Sequence, residues 1–408
     1  MFVTQKRLLK WGLCLNVIYL FFHFLFIPDG FTLLNISITS LLLLSVFCIG
    51  TLCIIKFKQL KKIPITIRTI IYLLFFWSII TIIRGFSLNL QDWVTNFGNV
   101  FMGLAWLTPF TLILGFKIEN WNILFKTISL GFALTIFACF LIPFTYVNEE
   151  WIWLLRPINF ILLVAFYKYN SKQKFYFYLA LMAYLIISFL GERRLEFLYL
   201  IITLSFILMD KIIKLNFKKV IIRYIFLVFL LLVFVIFTFG YEYISIIIST
   251  VVEFQDTRTF LFADFFLDLN FSEKLFGKGS LGTYFSEFIE HTRNYTINNL
   301  KKRWWGDEPT RITIEVGYLQ MILKGGFIMF FLHISIYIYA AYVAIFKSKN
   351  KFIKRLGYYI LIITIISLVE FRPAFTPTFI LLWMAIGTVL SKKYREMDNS
   401  QIKNIIKI

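Results

Sequence analysis

The sequence predicts an all-α, polytopic membrane protein of about twelve transmembrane helices carrying one large outer loop. Three observations predict it. The 408 residues are 60% hydrophobic, where a soluble domain would be about 45–50% apolar. Apolar stretches of about 17–25 residues recur along the whole chain, the length needed to cross a bilayer as a helix. The charges gather between those stretches, with a strong sign asymmetry from one set of loops to the other. The short alternating segments of a membrane β-barrel are absent from the sequence.

The first block, 1–240, accommodates spans at 11–27, 32–55, 66–83, 97–116, 126–143, 152–167, 175–190, 195–210 and 220–240. The basic start and long apolar run of "MFVTQKRLLKWGLCLNVIYLFFHFLFIPDG" lack a small-residue cleavage site, so this segment reads as a first transmembrane helix and not as a signal peptide. The sixth span is short. Residues 241–313 form the large extracytoplasmic loop, and 314–408 supply spans at 314–346, 356–370 and 374–391 followed by a cytoplasmic tail. Cys14, Cys48, Cys53 and Cys139 all fall in apolar runs, which reads as small core residues without a metal or disulfide framework.

Placing both termini and alternate loops in the cytoplasm puts 28 of the 42 Lys and Arg, but only 4 of the 22 acids, on the inside. That is the positive-inside pattern. The net charge of +20 is thereby a topology and lipid-facing signal, with no need of nucleic acid. The type of base also differs. The inner set is 23 Lys and 5 Arg, whereas the outer short loops and helix ends carry Arg84, Arg156, Arg193, Arg194 and Arg372 and no lysine. Topology is indifferent to which cation is used. Recognition is not, because a guanidinium grips phosphate or carboxylate with two parallel hydrogen bonds. Two readings stand for each arginine: part of an outward-facing anion site, or snorkelling and pairing with Glu192, Glu196 and Glu370.

In the outer loop, "YEYISIIISTVVEFQ" reads as a surface helix. The apolar spacing of "DTRTFLFADFFLDLNFSEKLFGKG" predicts a second one with Arg258 near its start, and the glycines of "FGKGSLG" end it in a turn. The tryptophans of "KKRWWGDEP" suit either carbohydrate or a membrane interface, and Pro309 marks a break. The spacing of Arg311, Glu315 and Tyr318 predicts that one face of the next helix presents all three near the outer surface. An Arg311–Glu315 i,i+4 pair is the structural alternative.

Taken together, "ERRLEFLYL", "TRTFLFAD…LFGKG" and "EVGYLQMILKGG" resemble the Wzy-type polysaccharide polymerases of the O-antigen ligase/polymerase superfamily, over roughly 185–330. The resemblance implies a GT-C-like architecture in a bacterial cytoplasmic (inner) membrane. It implies a glycosyltransferase acting on undecaprenyl diphosphate-linked oligosaccharide, without metal or other cofactor, in company with membrane lipid and a chain-length regulator. A sugar hydroxyl attacks the anomeric carbon and the polyprenyl diphosphate leaves. Carried onto matching positions, Arg194 and Arg258 clamp the diphosphate and Glu315 is the candidate base. Arg193, Arg311, Tyr318, Arg372 and Arg84 are candidate substrate contacts. Ligases of the superfamily carry a histidine where this chain has Glu315, and none of His23, His291 and His333 falls there. That departure favours the polymerase over the ligase. A flippase of lipid-linked sugars is the reading of another class, against which the long outer loop speaks.

Overall fold

A computed structural model describes residues 4–26, 33–86, 89–141, 151–191, 193–212, 257–287, 290, 293–294 and 310–406. The chain forms two compact units. The first comprises residues 1–203, 270–283 and 312–408, and the second 204–269 and 284–311.

The first unit is built from apolar helices. Among the described residues, seven are long and apolar enough to cross a membrane: Gln5–Leu25, Ile36–Lys62, Ile65–Ile83, Asp92–Phe116, Asn120–Cys139, Ser171–Leu190 and Gly317–Phe346. Two shorter apolar stretches, Ile152–Val164 and Pro377–Leu390, complete its core. The chain is a membrane-embedded, all-α polytopic protein. Helices also occupy Arg194–Ile212 and Lys351–Ile366. The expected span at 220–240 and the expected surface helix from Tyr241 lie outside the described residues, as do Trp304, Trp305 and Pro309.

Three expected spans take a different form, each for a local reason. The stretch expected at 97–116 is an α-helix over Leu90–Gly98 followed by a 3₁₀ helix over Gly103–Phe116, with Pro109 inside it. Thr108 and Thr111 donate back to the carbonyls of Ala105 and Thr108, both at 2.7 Å, the i−3 spacing of that tighter winding. At about 2.0 Å per residue such a helix covers the bilayer core in fewer residues than an α-helix. It packs along Pro377–Leu390 at two glycines, Gly115 and Gly387, where an added Cβ would strike the facing backbone. The sixth span divides into Ile152–Leu155 and Pro157–Val164, because Pro157 has no N–H to continue the first helix and is suited to start the second.

The third difference lies at Arg311, Glu315 and Tyr318. They do not share a helical face, because the helix begins at Gly317. Arg311 is in a two-residue strand, Thr310–Arg311. Val316 pairs with Phe371 in an antiparallel bridge. The β-branched run Ile312, Thr313, Ile314 and Val316 favours extended backbone, so helical spacing does not apply before Gly317.

The second unit contains the helix Thr257–Asp268, with Arg258 in its first turn; it ends well before the glycines, because Asn270 caps a separate helix, Phe271–Phe276. Tyr284–Phe285 pairs antiparallel with Thr310–Arg311, setting Tyr284 opposite Arg311. The helix is tied to this ribbon by Ser286, which donates to Asp264 Oδ2 at 2.5 Å, and by Phe265 edge-on to Tyr284.

Candidate functional site

The break at Pro157 leaves Arg156 inside the first unit with none of its side chain exposed. Its Nε donates to Glu196 Oε1 at 2.6 Å and its Nη2 to Glu370 Oε1 at 2.9 Å. The guanidinium is sandwiched between the rings of Trp153 at 3.8 Å and Phe371 at 4.6 Å. Tyr184 donates to Glu196 Oε2 at 2.8 Å, and Asn159 donates to Tyr184 at 3.1 Å. One guanidinium thus serves two buried carboxylates, and Arg156 Nη1 has no hydrogen-bond acceptor among the described residues. Charges removed from water this completely persist only when paired and hydrogen-bonded. Arg156 therefore takes the pairing alternative of the two readings given to the outer arginines.

The triad fixes three chain segments in one place: the Ile152–Val164 break, the start of Arg194–Ile212, and Glu370–Ala374. Phe371 holds a positive φ of 75°, rare for a bulky residue, while fully buried. That backbone puts its ring on Arg156 and against Tyr199 at 5.4 Å, and its main chain beside Val316.

Four expected site residues lie on the segments joined here. Arg193 directly precedes, and Arg194 opens, the helix turn that bears Glu196. Arg194 is exposed, and Arg193 is half-buried with its backbone N–H on Ser188 O at 2.8 Å. Arg372 follows Phe371, stacks on Phe101 at 3.9 Å and donates to Thr313 Oγ1 at 3.1 Å. The antiparallel bridge sets Glu315 in register opposite Arg372.

The other candidates are placed elsewhere. Arg84 spends both terminal nitrogens on helix-end carbonyls, Phe276 O at 2.5 Å and Gly277 O at 2.6 Å. It belongs to a joint between "FGKGSLG" and the "LKGG" of Gly317–Phe346. There Lys278 and Gly279 donate their N–H groups to Leu323 O and Lys324 O at 2.7 and 2.9 Å, and Lys324 Nζ returns to Gly282 O at 2.7 Å. Gly277, Gly279 and Gly326 all have positive φ, and a Cβ on any of them would meet opposing backbone. Trp77 Nε1 closes the joint on Gly325 O at 2.7 Å. Tyr318 is buried, and its hydroxyl donates to Thr364 O. Arg258 and Arg311 belong to the second unit.

The sequence names Arg156 and Glu370 only as members of two open alternatives, and nothing in it singles out Tyr184. Two signals could have found the knot. Arg156 and Arg372 are each followed by proline, and Trp153 stands one helical turn before Arg156, where a stacked cation fits. No group of metal-ligating side chains occurs among the described residues. Comparison with protein families, curated proteins and solved structures finds no match to this chain.

Proposed function

We propose that this protein polymerises undecaprenyl diphosphate-linked oligosaccharide repeats on the outer face of a bacterial cytoplasmic membrane. In this reading it has about twelve spans in a GT-C-like arrangement, with both termini inside. One observation carries the proposal: Arg193, Arg194, Arg372 and Glu315 lie on the segments that a single buried ion knot and its adjoining bridge hold together. The motif resemblance supplies the substrate class.

A diphosphate is a weak base and departs without a proton. It needs charge stabilisation at the bridging oxygen, and fixed guanidinium groups in a dry site provide it. Arg194 would bind the diphosphate, with Arg193 and Arg372 in support; the motif resemblance gives Arg258 the same role. Glu315 would take the proton of the attacking sugar hydroxyl, for which a positioned carboxylate contributes about 100- to 10,000-fold. Arg156 would act through the segments it holds and not on the substrate.

The test uses purified protein and a defined undecaprenyl diphosphate-linked repeat unit, with no nucleotide or metal added. Wild type should give a ladder of repeats. Arg194→Lys and Arg258→Lys should each slow it about 100- to 1000-fold. Transfer to a lipid or protein acceptor without a ladder would replace the polymerase with a ligase. Movement of the lipid-linked sugar across vesicles without any new glycosidic bond would replace the enzyme with a flippase.

A further inference from the structure

The first unit holds a second feature with chemistry of its own. A groove of about 510 Å³ runs between the helices Asn120–Leu141 and Ser171–Leu190. That volume is within the range of small-molecule sites. Its floor is apolar and aromatic, made by Phe125, Phe132, Ile136 and Phe177. Its lining on the first helix extends from Asn122 to Ile136, about 21 Å at 1.5 Å per residue. Half of a bilayer's hydrocarbon core is about 15 Å deep, so the groove matches the reach of one acyl chain plus the start of its headgroup.

The mouth differs from the floor. Both helices begin there, the first just after exposed Glu119 and the second with its end capped by Asn170. Neither helix has an acidic residue in its first turn. Lys126 lines the groove nearly two turns in, is exposed, and has no carboxylate partner among the described residues. Lys172 and Lys174 flank Gln173 on the other side. Asn122 also lines the mouth. It donates Nδ2 to Ile405 O at 3.3 Å, and this leaves its buried Oδ1 without a donor. The site thus offers one exposed ammonium for a phosphate, above an apolar slot.

We propose that this groove binds an anionic glycerophospholipid: one acyl chain lies along Phe132 and Ile136, and the phosphate meets Lys126. The inference rests on membrane embedding alone and is independent of the enzymatic reading. No covalent step is involved.

The experiment uses the full-length protein in mixed micelles of phosphatidylglycerol and phosphatidylcholine at equal amounts, with matched acyl chains. Native mass spectrometry counts the lipid retained. Wild type should keep phosphatidylglycerol about fivefold over phosphatidylcholine, the scale of one lysine at an anionic headgroup. Lys126→Gln, at an exposed position, should bring the ratio to near parity. Ala133→Trp, which puts an indole into the slot, should release both lipids. Lys393→Gln, an exposed base elsewhere, should keep the wild-type ratio. Equal retention of both lipids by wild type overturns the proposal. So does an unchanged ratio in Lys126→Gln, or undiminished retention in Ala133→Trp.

Discussion

The ion knot at Arg156 and the glycine joint at Gly277–Gly326 solve the same problem by opposite means. Each must hold distant segments together inside an apolar body. At Arg156 the segments meet through long side chains, and charge does the joining. At the glycine joint side chains are removed, so that main chain meets main chain and N–H groups of one loop satisfy carbonyls of another. The first is intolerant of losing one charge. The second is intolerant of gaining one carbon. Arginine takes part in both, yet Arg156 is a buried ion and Arg84 a cap on two carbonyls.

The sharpest way to break this contrast is Arg156→Met, which strands Glu196 and Glu370. We expect a loss of about 3–5 kcal/mol, read as a fall in the thermal midpoint of the detergent-solubilised protein. The triple variant Arg156→Met, Glu196→Gln, Glu370→Gln should recover most of that loss. If it is no better than the single variant, unpaired charge is not the cause. Gly326→Ala comes next. Its positive φ disfavours any side chain, and the new Cβ would meet Leu275 O. The expected loss is about 1–3 kcal/mol from backbone strain alone, measured the same way. A wild-type midpoint would mean that the joint yields freely.

Arg84→Lys should cost about 1 kcal/mol, because an ammonium cannot span both carbonyls as a guanidinium does. The smallest effect on stability belongs to Arg194→Lys. An exposed substitution of this kind stays within about 0.5 kcal/mol, while the proposed polymerisation falls about 100-fold or more. A midpoint shift as large as that of Arg156→Met would make Arg194 a structural residue and remove it from the proposed site.

The helices were legible because each is an unbroken apolar run, and the split at Pro157 was there to be read in one residue. The extended start before Gly317 was not. Arg311, Glu315 and Tyr318 have helical spacing, and pairing with Phe371 and Tyr284 overrides it. The knot was half legible. Pairing of outer arginines with Glu196 and Glu370 was one of two readings, but its partners lie 40 and 214 positions from Arg156, and no local pattern selects which arginine is buried. The glycines of "FGKGSLG" were read as a turn. Gly277 and Gly279 are glycine because of the approach of Lys324 and Arg84 backbone, contributed by remote segments.

Gly326 also sets how the protein fits its lipid. Gly317–Phe346 is 30 residues long and, if straight, would measure about 45 Å, well beyond a hydrocarbon core of about 30 Å. With the chain bent at Gly326, the portion after it is about 20 residues, or about 30 Å. The portion before it is freed from running parallel to the membrane normal. A helix that would otherwise have to tilt steeply or thicken the surrounding bilayer is thereby matched to ordinary membrane thickness by one residue without a side chain.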